Sequence, residues 1–189
     1  MTTFWWVRHG PTHEKAFVGW RDVPADLSDT GAIQRLKGFL PSDAVIISSD
    51  LIRCINTADA IQGNRHRLPH NSDLREFHFG DWDGRGFKEV ADKYPDLSRE
   101  YWERPGHAAP PGGESWFEAE ERVEKAVRIL QAEYPSQNVI VVAHFGVILS
   151  QLRRALDVPP ADVLAQKIDN LSVTRITADG EHGPVNHCP

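Results

Sequence analysis

The chain has 189 residues, 40% of them hydrophobic and 25% charged, which is enough apolar material for a real core and excludes a disordered, collagenous or fibrous protein. Its 27 acidic and 21 basic side chains leave a net charge of −6, with a pI near 5.8. That balance argues against a nucleic-acid partner, since a protein that tracks a phosphate backbone clusters its Lys and Arg, but it permits a small anion where a few bases focus in one cleft. From the N-terminal end, the first apolar run is Phe4 to Val7, too short for a secretory core or for a membrane span of roughly 20 residues. The expectation is a cytoplasmic protein without membrane contact. Its two cysteines, Cys54 and Cys188, are expected as reduced thiols.

In chain order, Phe4 to Val7, Ala44 to Ile47 and Val139 to Ala143 are continuous apolar runs, as strands buried on both faces require. Helical patterns alternate with them. Ser28 is the expected N-cap of a helix with Ile33, Leu36 and Leu40 on one face, and Ser49 or Asp50 the cap of a second through Ile61. Glu114 is expected to open a long third helix carrying Ala119, Val123, Val127 and Leu130, and Val147, Ile148, Leu152 and Leu156 mark a fourth. Ser172 to Thr177 alternates as a late strand, with the tail near Val185 as its expected partner. The pattern predicts one domain over residues 1–189, a three-layer α/β sandwich with a largely parallel central sheet. Between Phe77 and Gly113, glycines and prolines interleave with large aromatics, which predicts an ordered cover over the strand ends with a short helix near Lys88 to Tyr94.

Chemistry-bearing residues gather at two junctions of one design, in which a buried strand runs into a histidine followed closely by glycine: Val7-Arg8-His9-Gly10 and Ala143-His144-Phe145-Gly146. The C-terminal ends of parallel strands share one edge, where ligands bind, so His9 and His144 are expected to face each other. A third strand end, Ile47-Ser48-Ser49, feeds a helix whose first turn carries Arg53. Two arginines, two histidines and a helix N-terminus around one point describe an anion site. Taken singly, each of these residues has a structural or solvated alternative, and it is their convergence that carries the reading. His66 and His70 stand four apart, but Pro69 and the polar surroundings argue against a helix there, so no metal site is expected.

Arg8-His9-Gly10-Pro11-Thr12 resembles the signature of the histidine phosphatase superfamily, which has the phosphoglycerate mutase-like fold. Further similar segments follow in that family's order: Gly19-Trp20-Arg21-Asp22 with Leu27 to Gly31, Ser48 to Arg53 with Thr57-Ala58, Leu74-Arg75-Glu76, Phe79 to Gly84, Pro111 to Ser115, Val141 to Ile148 and Asn170 to Thr174. The chain departs from the pattern at Pro11, Asp50, Asn56, at Phe145 where a small residue is common, and at Lys15, which stands where the family has a phosphate-touching Asn. The resemblance implies a phosphomonoesterase of the phosphatase branch, acting on a small phosphorylated metabolite without metal or other cofactor. It implies His9 as nucleophile, Glu76 as general acid and base, and Arg8, Arg53 and protonated His144 as the phosphate pocket. Thr12, Lys15, Gly19, Trp20, Phe145 and Gly146 are the expected substrate contacts, Lys15 being equally readable as an exposed loop lysine. Asp81 and Asp83 are nearby alternatives to Glu76. A mutase-type phosphoryl transfer and a non-catalytic phosphate-binding module are the competing readings. The short cover, Gly84 to Gly113, favours hydrolysis because a mutase must keep water from its intermediate. Oligomeric state is not legible.

Overall fold

The computed structural model describes residues 1–189. Five strands, β1 (Thr3–Arg8), β2 (Ala44–Ser48), β3 (His66–Arg67), β4 (Asn138–Ala143) and β5 (Val173–Thr177), form one sheet in the order β3-β2-β4-β1-β5. The first four run parallel, and β5 lies antiparallel to β1 at the edge. Seven helices surround it: α1 (Thr30–Phe39), α2 (Ile52–Ile61), α3 (Phe87–Lys93), α4 (Pro95–Glu103), α5 (Trp116–Glu133), α6 (Phe145–Leu156) and α7 (Pro160–Val163). None is long and apolar enough to cross a membrane.

Successive strand residues point to opposite faces, and two separate cores record this. On one face Phe4, Trp6, Val45, Ile47, Val139 and Val141 pack with α5 and α6; on the other Val7, Ile46, Ile140 and Val142 pack with α1 and α2. Three layers result, as the uninterrupted apolar runs require.

Local signals shift by a residue in several places. Asp29 caps α1 by accepting from the Ala32 amide, while Ser28 stands one residue outside. Leu51, with no acceptor of its own, occupies the cap position of α2; Asp22 accepts from the Ile52 amide there, while Asp50 makes a two-pronged pair with Arg75. Ser115, not Glu114, caps α5 in a reciprocal capping box with Glu118, which frees Glu114 for other work. The late strand pairs with β1 over five residues, and the tail lies along its other edge, as expected, through bridges at Val173–His187 and Ile176–His182 and backbone bonds between Arg175 and both Gly183 and Pro184.

The cover is ordered. It holds the expected short helix as α3 and a second, α4, whose Pro95 sits in the first turn, where a missing N–H costs nothing. Its Trp82, Val90 and Tyr101 pack with Phe17, from the connection after β1, in a small third core.

Candidate active site

β1 and β4 are neighbours in register, Arg8 opposite Ala143, so each chain leaves the sheet at the same level. His9 donates its amide to the Ala143 carbonyl (3.1 Å), and the rings of His9 and His144 meet edge to face with centroids 5.2 Å apart. His9 Nδ1 lies 2.7 Å from the Gly10 carbonyl oxygen. A carbonyl can only accept, so the ring proton of neutral His9 sits on Nδ1 and the lone pair on Nε2. Burial, with Arg53 and Arg8 nearby, lowers the His9 pKa from 6.5 to about 3, which keeps that lone pair free at neutral pH. The main chain of this segment is held too: Thr57 Oγ1 accepts from the Gly10 amide (3.0 Å), and Asn170 Nδ2 donates to the His9 carbonyl (2.8 Å).

Arg53 is 1% exposed, and its Nη1 and Nη2 donate to the carbonyls of Arg21 (2.9 Å) and Gly19 (2.6 Å). Arg8 Nη1 donates to the Ile168 carbonyl (2.6 Å), and its guanidinium lies 5.4 Å from the centre of the Phe145 ring. In both arginines the buried Nε has no hydrogen-bond partner. Two orphaned donors on cations beside two uncharged imidazoles form a site that an anion would complete.

His144 is completely buried, and burial, Arg53 and His9 push its pKa well below 6.5. Without an anion, a third positive charge beside Arg8 and Arg53 is costly, so a neutral His144 is favoured; the protonated form expected from sequence belongs to the pocket with phosphate bound. The thiol of Cys54 packs against this ring, Sγ 3.3 Å from Nε2, and burial keeps it protonated.

Glu76 is buried at the start of the cover. Its Oε1 accepts from the Phe77 amide (3.0 Å) and its Oε2 from the Gly146 amide (3.3 Å), so the α6 N-terminus spends this donor on the carboxylate. Burial raises the Glu76 pKa; the two amides, Arg53 and Arg8 oppose it without cancelling it. Asp83 is committed elsewhere, accepting from the amides of Gly19 and Arg21.

Among the remaining expected contacts, Gly19 is buried beneath the cover, where a Cβ would lie 2.7 Å from the Phe77 carbonyl oxygen. Trp20 donates its indole N–H to the Glu76 carbonyl (2.7 Å). Thr12 is half-buried and Lys15 exposed, and no hydrogen bond or ion pair joins either to the cluster. Sequence reasoning missed Arg122. From α5 it donates to the carbonyls of Asp73 (2.8 Å), Arg75 (3.0 Å) and Glu76 (3.2 Å) and pairs with both oxygens of Glu114. Glu114 in turn accepts from the His78 amide (3.0 Å), so Glu76 is braced from both sides.

A profile of the histidine phosphatase superfamily (branch 1) matches residues 4–188. A bifunctional protein of Mycobacterium tuberculosis is 34% identical over 166 residues, covering 86% of this chain, which spans only 43% of that protein's length. A glucosyl-3-phosphoglycerate phosphatase of Mycolicibacterium vanbaalenii is 32% identical (81% of this chain, 73% of that one), and an adenosylcobalamin/alpha-ribazole phosphatase of Salmonella typhimurium is 29% identical (84% and 82%). The solved structure of Bacillus stearothermophilus YhfR superposes with a TM-score of 0.86 at 27% identity, covering 97% of this chain and 95% of that one.

Proposed function

From its place in the histidine phosphatase superfamily, to which the chain belongs, we propose that it hydrolyses a monoester of a small phosphorylated metabolite through a phosphohistidine on His9. One observation carries this reading: a buried, neutral imidazole, its proton held on Nδ1 by the Gly10 carbonyl, leaves Nε2 free in a site that Arg53 and Arg8 influence electrostatically, each with an unused Nε donor. Arg8 and Arg53 bind the peripheral oxygens of the phosphoryl group. The dianion reverses the electrostatic balance at His144, which takes up a proton and donates to a third oxygen.

Nε2 of His9 then attacks phosphorus in line, and the bond from phosphorus to the ester oxygen breaks. Glu76, whose pKa burial raises, gives its proton to the departing alkoxide. In the second half the same carboxylate takes a proton from water as that water attacks phosphorus. The phosphorus–nitrogen bond breaks, inorganic phosphate leaves and His9 is restored. No step calls for a metal ion.

The test is brief mixing with a 32P-labelled monoester and an alkaline quench, which a phosphoramidate survives and an acyl phosphate does not. Wild type retains label and the His9→Ala variant does not; label persisting in the variant overturns the assignment. The mutase alternative is tested with 3-phosphoglycerate and a bisphosphorylated primer, where isomerisation outpacing phosphate release from every monoester would replace hydrolysis as the reading.

A further inference from the structure

Glu76 and Gly146 belong to the phosphate site, yet they also form one wall of a cleft that runs away from it under the cover. The cleft encloses about 50 Å³ and opens to solvent, well below the ~300–1,000 Å³ usual for a whole small-molecule pocket, so it seats a short group and a longer chain continues along the rim at Trp102. Phe79, Tyr101, Trp102 and Pro105 line it from the cover, Leu149 from α6 and Leu164 from the segment after α7. Tyr101 and Trp102 stand perpendicular, centroids 5.0 Å apart, and so offer two aromatic walls; Trp102 is 38% exposed at the rim. The lining holds no Lys, Arg or His, and Glu76 is its only carboxylate.

The position of the cleft identifies what enters it. A general acid must reach the ester oxygen, so the leaving group extends from the phosphate past Glu76. A leaving group bearing its own phosphate or carboxylate would meet no counter-charge here and would lose its hydration against aromatic carbon. An uncharged alcohol with apolar surface would exchange water for those same walls. We propose that this cleft is the leaving-group subsite and that it selects phosphate monoesters of uncharged, apolar alcohols, aromatic or short-chain alkyl, over phosphorylated acids and bisphosphates. The assignment rests on the phosphatase reading for the direction in which the leaving group points.

The test uses straight-chain alkyl phosphates from ethyl to hexyl, which lengthen apolar surface at nearly constant leaving-group basicity. In wild type kcat/KM rises with each methylene, toward the limit of about fourfold that full burial of a CH₂ provides. In Trp102→Ala and, independently, Leu164→Gln the rise flattens. The matching alkylphosphonates, which cannot be hydrolysed, are titrated into the same proteins, and their Kd falls with chain length in wild type and less so in the variants. A flat or rising wild-type Kd series overturns the subsite whether or not the esters turn over. Absence of turnover together with a Kd that still falls with chain length leaves the subsite standing and refutes the phosphatase reading instead.

Discussion

Substituting Gly146 with Ala separates what this site needs for chemistry from what the fold needs for stability. Gly146 lies in the first turn of α6, where a Cβ would stand 2.7 Å from Glu76 Oε1 and 3.1 and 3.2 Å from two atoms of the Phe77 ring. Contact distances near 3.5 Å are unstrained, so the carboxylate has to retreat by roughly 0.8 Å. Its hydrogen bond from the Gly146 amide, already 3.3 Å, lengthens with it. Displacement of a catalytic group by about 1 Å costs on the order of 100-fold, so kcat/KM for an alkyl phosphate should fall by about 30- to 100-fold. An activated aryl phosphate, whose leaving group needs little protonation, should lose less than about threefold. The alanine also gains up to about 1 kcal/mol of helix propensity, offset by the displaced Glu76, so Tm should stay within about 4 °C of wild type. Steady-state kinetics on both ester types, with thermal melts of each protein, make the measurement. Equal loss on the two esters, or an unchanged alkyl rate in a folded variant, would refute the placement of Glu76 on the leaving-group side.

Two further outcomes follow from the charge states and the bracing. His9 and His144 both have pKa values depressed by folding, His9 from 6.5 to about 3, so the stability they confer is complete above about pH 6.5 and is lost as pH falls below it. Each can contribute a slope of up to about 1.4 kcal/mol per pH unit between pH 6.5 and its folded-state pKa, and denaturant unfolding of His9→Asn should show the slope reduced by about one proton; an unaltered slope would contradict the buried neutral state. Arg122→Gln should lower kcat by about 10- to 100-fold with KM within about threefold, and more for alkyl than for aryl esters, because it releases three carbonyls that position Glu76. Arg122→Lys should recover only part of that, since one ammonium cannot replace a forked donor; a lowered Tm with unchanged kinetics would reduce Arg122 to a structural brace.

The features legible in the sequence are those written into contiguous residues. An apolar run ending in His-Gly or His-Phe-Gly specifies both a buried parallel strand and the residue at its mouth, and two such runs bring His9 and His144 to one edge. Caps were harder: Ser28 and Asp29 are adjacent residues of similar capping ability between which only the local backbone chooses, and at α5 the better capping residue, Ser115, stands one place after Glu114. The two-residue β3 is too short to show alternation, and α4 begins at a proline that punctuates a sequence as easily as it opens a helix. Arg122 was hidden by distance: the carbonyls it holds lie 46 to 49 residues earlier, and nothing in the α5 pattern distinguishes it from a solvated arginine. The charge state of His144 could not be read locally either, since it depends on how completely Arg53, His9 and the surrounding core exclude water.

The two halves of the site are built on different kinds of support, and this bears on how substrate range can change. His9 and His144 follow directly from paired central strands, and Arg53 is pinned in α2 by two carbonyls, so their relative positions are set by the sheet and its packing. The proposed leaving-group walls at Phe79, Tyr101 and Trp102 instead belong to a cover that packs in a small core around Phe17 and is tied to the rest through Asp83, which accepts from the Gly19 and Arg21 amides, and through the Glu76 segment braced by Arg122. Substitutions at the cover's rim can therefore alter which alcohol is accepted without disturbing the atoms that would bind and attack phosphorus. Glu76 is where the two parts meet: its carboxylate is held by the α6 amide on the phosphate side while its neighbours line the apolar cleft. Changes that reach Glu76, as Gly146→Ala does, should cost rate on every alkyl ester, whereas changes confined to Trp102 or Leu164 should redistribute rate among them.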